Sequence, residues 1–329
     1  MNKPKVAFYW CASCGGCEET VVDLNEDILK VVEAIDIVFW PVAMDFKRED
    51  VAKMADGEIA VCFLNGAIRT NEQLEMAEML RKKAKVMIAF GSCSHLGGIP
   101  GLANLFTRQQ ILDNSYLEAV SVINQERVYP QEITKVPEGK VTLPALFETV
   151  KTLNQVVDVD YYLPGCPPPT NLIMNAVTAI LEGKLPPKGA ILAPDMALCN
   201  ECARKDSKPE KPMIKEYFRP HQIKADPEKC LLAQGLVCLG PGTRSGCGAA
   251  CVTGNMPCTG CLGPTDQVKD YGAKVMSAIA SLADANDEAE IAKIMDGIPD
   301  PVGTFYRYSL PASLLHRKYL GQAKGGIQK

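Results

Sequence analysis

The chain has no surplus of positive charge. Its 35 lysines and arginines stand against 39 aspartates and glutamates, for a formal charge of −4, and the two signs are well mixed. Without a polybasic footprint, nucleic acid and anionic lipid are not expected as partners. No apolar run approaches the length of a membrane span. The opening residues, Met1-Asn2-Lys3-Pro4-Lys5, lead straight toward a strand pattern. They carry neither the apolar core of a secretory signal nor a twin-arginine motif, so a cytoplasmic protein is expected. Thiols stay reduced in that compartment, and the fourteen cysteines therefore read as metal ligands in preference to a disulfide framework. A length of 329 residues with 47% hydrophobic content leaves room for two domains.

The stretch around which the chain is organised is Cys14-Gly15-Gly16-Cys17, between a strand expected over 5–10 and a helix expected over 18–33. The two glycines lack Cβ atoms and allow the backbone to approach a bulky group closely. A following helix would direct its free N–H groups and positive dipole end at the same turn. An anionic iron–sulfur cluster and a reactive thiol pair both suit that placement, and the local sequence leaves the two open.

Further strands are expected over 35–40, 59–64, 86–90 and 157–163, with helices over 49–54, 71–83 and 170–181. This alternation predicts an α/β fold with a flavodoxin-like parallel sheet in the N-terminal domain. Three strands end in cysteine loops: Cys14 and Cys17 after the first, Cys93 in Gly91-Ser92-Cys93, and Cys166 in Pro164-Gly165-Cys166-Pro167-Pro168. The carboxyl ends of such strands form the ligand crevice, so these four thiols can meet at one edge, in the number that a 4Fe-4S cluster requires. Free cysteine is also a common small core residue. Cys62, inside the apolar run 60–64, is assigned to the core, and Cys11 is read as a spectator that ends its strand facing inward. His95 can donate to a cluster sulfur, touch a partner or be a plain surface histidine. The stretch 102–153, with Pro130, Pro137 and Pro144, reads as helices and a long excursion without chemistry.

A second domain is expected after Leu185-Pro186-Pro187, which divides the chain into 1–187 and 188–329. Its eight cysteines fall into two sets of four, Cys199, Cys202, Cys230 and Cys238, then Cys247, Cys251, Cys258 and Cys261. The intervening Gly- and Pro-rich chain reads as an irregular, mostly helical domain wrapped around metal groups in place of a core. Structural zinc uses the same C-x2-C spacing, and spacing alone leaves zinc and iron–sulfur open for either set. Helices are expected over 265–285 and 287–295. The aromatic tail 299–310 either docks on another subunit or packs on its own domain.

Cys14-Gly15-Gly16-Cys17-Glu18, Gly91-Ser92-Cys93, Pro164-Gly165-Cys166-Pro167 and Pro257-Cys258-Thr259-Gly260-Cys261 resemble the small, electron-transferring subunits of nickel-iron hydrogenases over nearly the whole chain. The resemblance is nearest to the cytosolic, F420-non-reducing, viologen-reducing group of methanogens, supported by Pro299-Asp300-Pro301-Val302-Gly303-Thr304-Phe305. It implies three 4Fe-4S clusters: a proximal one on Cys14, Cys17, Cys93 and Cys166, a distal one on Cys199, Cys202, Cys230 and Cys238, and a medial one on Cys247, Cys251, Cys258 and Cys261. Many exported relatives have proline in the place of Cys251, and periplasmic ones place histidine at the position of Cys199, so His221 is not needed as a ligand. It further implies a nickel-iron large subunit as partner, with an iron–sulfur delta subunit and heterodisulfide reductase beyond it. No catalytic residue is expected here, because only Cys11 and Cys62 remain once twelve cysteines are assigned. The rival readings are a zinc-stapled scaffold, a complex I-like electron carrier and a thiol oxidoreductase using Cys14 and Cys17.

Overall fold

The structure, a computed structural model, describes residues 3–316. Its strands are β1 (Lys5–Trp10), β2 (Asp36–Phe39), β3 (Ile59–Asn65), β4 (Ile68–Thr70), β5 (Ala84–Phe90), β6 (Ile133–Val136), β7 (Gly139–Thr142), β8 (Leu146–Lys151) and β9 (Tyr161–Leu163). Five of them form one parallel sheet in the order β2-β1-β3-β5-β9. Counted among themselves, these five follow the flavodoxin order 2-1-3-4-5, as the βαβ alternation predicts.

Side-chain parity decides what each face of this sheet buries. Val6 and Phe8 on β1, Val61 and Phe63 on β3, and Ile88 and Phe90 on β5 share one core with Cys17. The alternate residues Ala7, Cys62, Leu64, Met87 and Ala89 face the other core, which also holds Cys11. Successive side chains of a strand point to opposite faces, so Cys11 and Cys62 lie across the sheet from Cys17. The first face is tightened by rings: Phe8 stands 4.7 Å from Trp40 and 5.1 Å from Phe63, centroid to centroid. Each such buried aromatic contributes about 2 kcal/mol from lost water contact.

The covering helices are α1 (Gly16–Val22), α2 (Asp27–Ala34), α3 (Arg48–Lys53), α4 (Asn71–Lys83) and, after β9, α7 (Thr170–Leu181). Between them lie the short α5 (Ser92–Leu96) and α6 (Arg108–Asp113). Where one helix is expected over 18–33, the structure has two. Asn25 takes a φ of 52°, and its side-chain amide donates to the Asp23 carbonyl at 3.0 Å. Asparagine tolerates this left-handed conformation by such local bonding, and a helix cannot pass through it.

The excursion differs more. It contains α6, but also the fully exposed antiparallel hairpin β6–β7 and the pairing of β8 with β4. The two-residue Pro137-Glu138 connection ends in Gly139 at a φ of 144°, a turn signal that a helical reading of this stretch overlooks.

Beyond α7 the chain is mostly turns, then α8 (Ala250–Thr253), α9 (Tyr271–Ala280), α10 (Glu288–Met295) and α11 (Pro301–Phe305). It does build a core, contrary to the expectation of a mere wrapping: Leu232, Leu236, Leu239, Val275, Ile279 and Ile294 are among its buried members. Phe305 and Tyr306 join this core and Tyr308 is also buried. The aromatic tail therefore packs on its own chain. Residues 317–329, the end of the expected second domain, lie outside the described residues.

Candidate metal centres

The first cysteine group is assembled by the loops after β1, β5 and β9. Gly15, at a φ of 87°, turns the chain out of the β1 loop into α1, so that Cys17 sits inside the first helical turn. Gly91 N–H donates to Leu163 O at 2.8 Å and Ser92 N–H to Gly165 O at 2.7 Å, which ties the Cys93 loop to the Cys166 loop. A Cβ on Gly91, whose φ is 84°, would lie 2.4 Å from the Cys17 sulfur, and one on Gly98 would lie 2.4 Å from the Cys93 sulfur. Only glycine permits these approaches. Cys17 lies within electrostatic reach of Cys93, Cys166 and Cys14, so the four strand-end thiols do come together. Cys11 and Cys62 do not join them.

The second group, Cys199, Cys202, Cys230 and Cys238, lines one small cavity together with Arg204 and Lys208. A Cβ on Gly240 would touch both the Cys199 and Cys238 sulfurs, at 3.5 and 3.7 Å. Cys230 is oriented by its N–H bond to Ser207 Oγ at 2.7 Å.

The third group is shaped by Glu201. Its carboxylate accepts from the N–H groups of Gly246 at 3.0 Å, Cys247 at 3.2 Å and Ala249 at 3.3 Å, curling the loop about the Cys247 sulfur. Cys261 lies within electrostatic reach of Cys247 and Cys251, and Cys258 of Cys261. The Cys258 thiol also points at Thr243 Oγ1, 3.7 Å away, which itself bonds Tyr271 Oη at 2.7 Å.

These groups form a line. Cys261 lies within electrostatic reach of Cys166, and Ser92 Oγ donates to the Cys261 carbonyl, joining the first group to the third. Cys258 N–H donates to the Cys238 sulfur at 3.4 Å, joining the third to the second. The third group therefore stands between the other two, although it comes last in sequence.

All fourteen cysteines are free thiols. Burial pushes the Cys93 thiol up to about 12 and the Cys199 and Cys261 thiols up to about 11, and the neighbouring cysteines push in the same direction. Cys17 and Cys258 are raised further by the same causes. Such a thiol gives up its proton readily only to a cation that replaces it, and a thiophilic metal is the natural exchange. Thiolates around one zinc ion stand about 3.8 Å apart, given bonds of about 2.3 Å. Among the described residues no three His, Cys, Asp or Glu side chains are drawn in tightly enough to hold a metal ion. The donor set, all sulfur and in fours, fits an iron–sulfur cluster.

Several residues near these thiols have no marker in the cysteine spacing. Glu18, beside Cys17, is buried and accepts from Asn65 Nδ2 at 2.6 Å and from Trp40 Nε1. Burial raises its carboxyl, and these two donors partly offset that. His95 is not a surface histidine. It is 8% exposed, its ring lies 4.6 Å from that of Tyr162, and its Nδ1 has no hydrogen-bond partner among the described residues. Burial, with the charge of Arg244, pushes its imidazole down to about 3. His221 is exposed.

A parallel sheet that gathers thiols at its strand ends, continued by two further thiol groups in line, defines an electron-transferring oxidoreductase subunit. The family described as NADH ubiquinone oxidoreductase, 20 Kd subunit, matches residues 14–180. The iron-sulfur subunit of the F420-non-reducing hydrogenase of Archaeoglobus profundus is 38% identical, over 95% of this chain and 98% of that protein. A subunit of the F420-non-reducing hydrogenase of Methanothermobacter thermautotrophicus is 37% identical, over 98% of this chain and 99% of that protein. A chain of the [NiFeSe]-hydrogenase of Dm. baculatum shares the fold, with a TM-score of 0.51 at 17% identity over 81% of this chain and 96% of that one. The chain belongs to the family of iron–sulfur subunits of F420-non-reducing hydrogenases.

Proposed function

We propose that this chain carries electrons between a nickel-iron large subunit that splits hydrogen and a further redox partner, holding three 4Fe-4S clusters. Cys14, Cys17, Cys93 and Cys166 hold the proximal one, Cys247, Cys251, Cys258 and Cys261 the medial one, and Cys199, Cys202, Cys230 and Cys238 the distal one. The observation that carries this reading is the line of thiol groups, linked through Cys261 to Cys166 and through Cys258 to Cys238. When bound, such clusters supply one-electron acceptance and donation. The chain's own residues hold and space them. Gly91 and Gly98 admit sulfur against the backbone, Glu201 pins the Cys247 loop, and buried apolar side chains pack around the inner thiols Cys17 and Cys258.

The proximal group lies at the open strand-end edge, which suits a large subunit delivering electrons there. The division into a flavodoxin-like domain, 1–187, and an iron–sulfur domain, 188–329, belongs to the same proposal. So do a cytoplasmic location and passage of electrons to an iron–sulfur delta subunit and heterodisulfide reductase. Among the described residues no helix is long and apolar enough to cross a membrane.

Purification of the tagged chain from its native host tests the assignment. It should bring down a nickel-containing partner, with viologen-linked hydrogen uptake in the pair and none in the isolated chain. Uptake by this polypeptide alone, or a partner without nickel, contradicts it.

A further inference from the structure

Two arginines are buried among the described residues, Arg244 at 1% exposure and Arg204 at 6%. Arg244 faces the carboxylates of Asp195 and Asp266. Arg204 makes no ion pair among the described residues. Its guanidinium donates to Val252 O at 2.8 Å, Asn255 Oδ1 at 3.0 Å, Lys229 O at 3.4 Å and Asp226 O at 3.5 Å, all neutral acceptors. The Asp226 carboxylate feels the Arg204 charge but is bonded to Lys229 at 3.1 Å and to Glu228 N–H at 3.0 Å, so it offsets that charge only in part. A guanidinium cannot shed its charge, and burying that charge without a counter-ion is costly.

The remainder of the balancing negative charge has an evident place. Arg204 lines the cavity whose walls include Cys199, Cys202, Cys230 and Cys238; Lys208 lines it too and acts on Cys199, but of the two cations only Arg204 is buried. A cluster of four irons and four sulfides held there by four thiolates would carry net negative charge and balance the arginine. We propose that Arg204 is a positioning residue that raises the electron affinity of the group held by these four cysteines. This rests on the relay reading above. On reduction one electron enters from an external donor, no bond forms or breaks, and the cavity gains one negative charge. A fixed cation beside the cavity favours that state. The effect belongs chiefly to this group; Arg204 reaches the third group's loop only through Val252 and Asn255.

The test is a mediated potentiometric titration of the iron-loaded full chain, followed by electron paramagnetic resonance. Arg204→Met removes the charge at similar length, Arg204→Gln removes it but keeps amide donors, and Arg204→Lys keeps it. At a fixed potential, the ratio of reduced to oxidised distal group should fall about tenfold in the Met and Gln variants, or 59 mV for one electron. The Lys variant should stay within about threefold of the parent. Loss of about four irons in both neutral variants, with full iron in the Lys variant, supports the same charge balance. Neutral variants that hold full iron and titrate like the parent overturn the proposal. So does a Lys variant that shifts, or loses iron, as far as Met. A parent chain with no iron on these cysteines contradicts the relay reading itself.

Discussion

Parity along β1 separates the thiols that can meet from those that cannot. Cys11 follows Ala7 and Tyr9 onto the second face of the sheet, whereas Cys17 turns into the first. Cys11→Ala should therefore leave the iron content unchanged and cost about 1 kcal/mol or less in packing. Gly91 is the opposite case. An alanine there would have to adopt a φ of 84° with its Cβ 2.4 Å from the Cys17 sulfur. Gly91→Ala should lose about four irons per chain and about 1–3 kcal/mol of stability from backbone strain; iron assay and thermal unfolding check this, and full iron content contradicts it. At Cys251, which is exposed, proline removes one of four thiolates. Cys251→Pro should convert the medial cluster to a three-iron form with a higher potential. Its oxidised spectrum should show a new three-iron signal, and an unchanged spectrum at full iron would exclude Cys251 as a ligand. Cys spacing shows which thiols can be grouped. The carboxylate of Glu201, the buried cation of Arg204 and the burial of His95 arise from tertiary contacts that no local pattern encodes.

Strands and helices with strong periodicity were legible because each carries its own signal: β1, α4 and α7 span the expected residues. α4 begins with Thr70, whose hydroxyl accepts from Gln73 N–H while Gln73 Oε1 accepts from Thr70 N–H at 3.1 Å, a capping box written in four residues. The Asn25 break and the β6–β7 hairpin escape a periodic reading because single positions, Asn25 and Gly139, decide them. The last sheet strand, β9, is shorter than its apolar run, and much of its attachment comes from Asp160 just before it. That carboxylate accepts from Met87 N–H at 2.8 Å on β5 and pairs with Arg81 at 2.7 Å and Lys188 at 2.6 Å. Burial pushes its carboxyl up, but Lys188, Arg81 and the Met87 N–H outweigh burial and leave it below the ordinary range. A depressed folded-state pKa stabilises the fold above the unfolded value, near about 3.9, and that contribution is lost as pH falls through the folded value. Asp160→Asn should cost about 2 kcal/mol at neutral pH, and the gap to the parent should close below about pH 4. A gap that persists in acid would show that shape, not charge, is what Asp160 supplies.

Across the whole molecule, the order of the thiol groups in space is not their order in sequence. The chain passes from the first group at the sheet edge to the far group at 199–238 and then returns through 247–261 to fill the middle. The return brings Cys258 against Cys238 and Cys261 against Cys166. A path with a middle station follows from that return, and it gives a physical reason for the long irregular stretch between α7 and α9. The central claim is that each group holds one four-iron cluster. Iron, zinc and acid-labile sulfide, measured per chain on anaerobically purified protein, test it most directly. The account predicts about twelve irons and as many sulfides, with zinc absent; iron near four, or zinc in place of iron without sulfide, would contradict it.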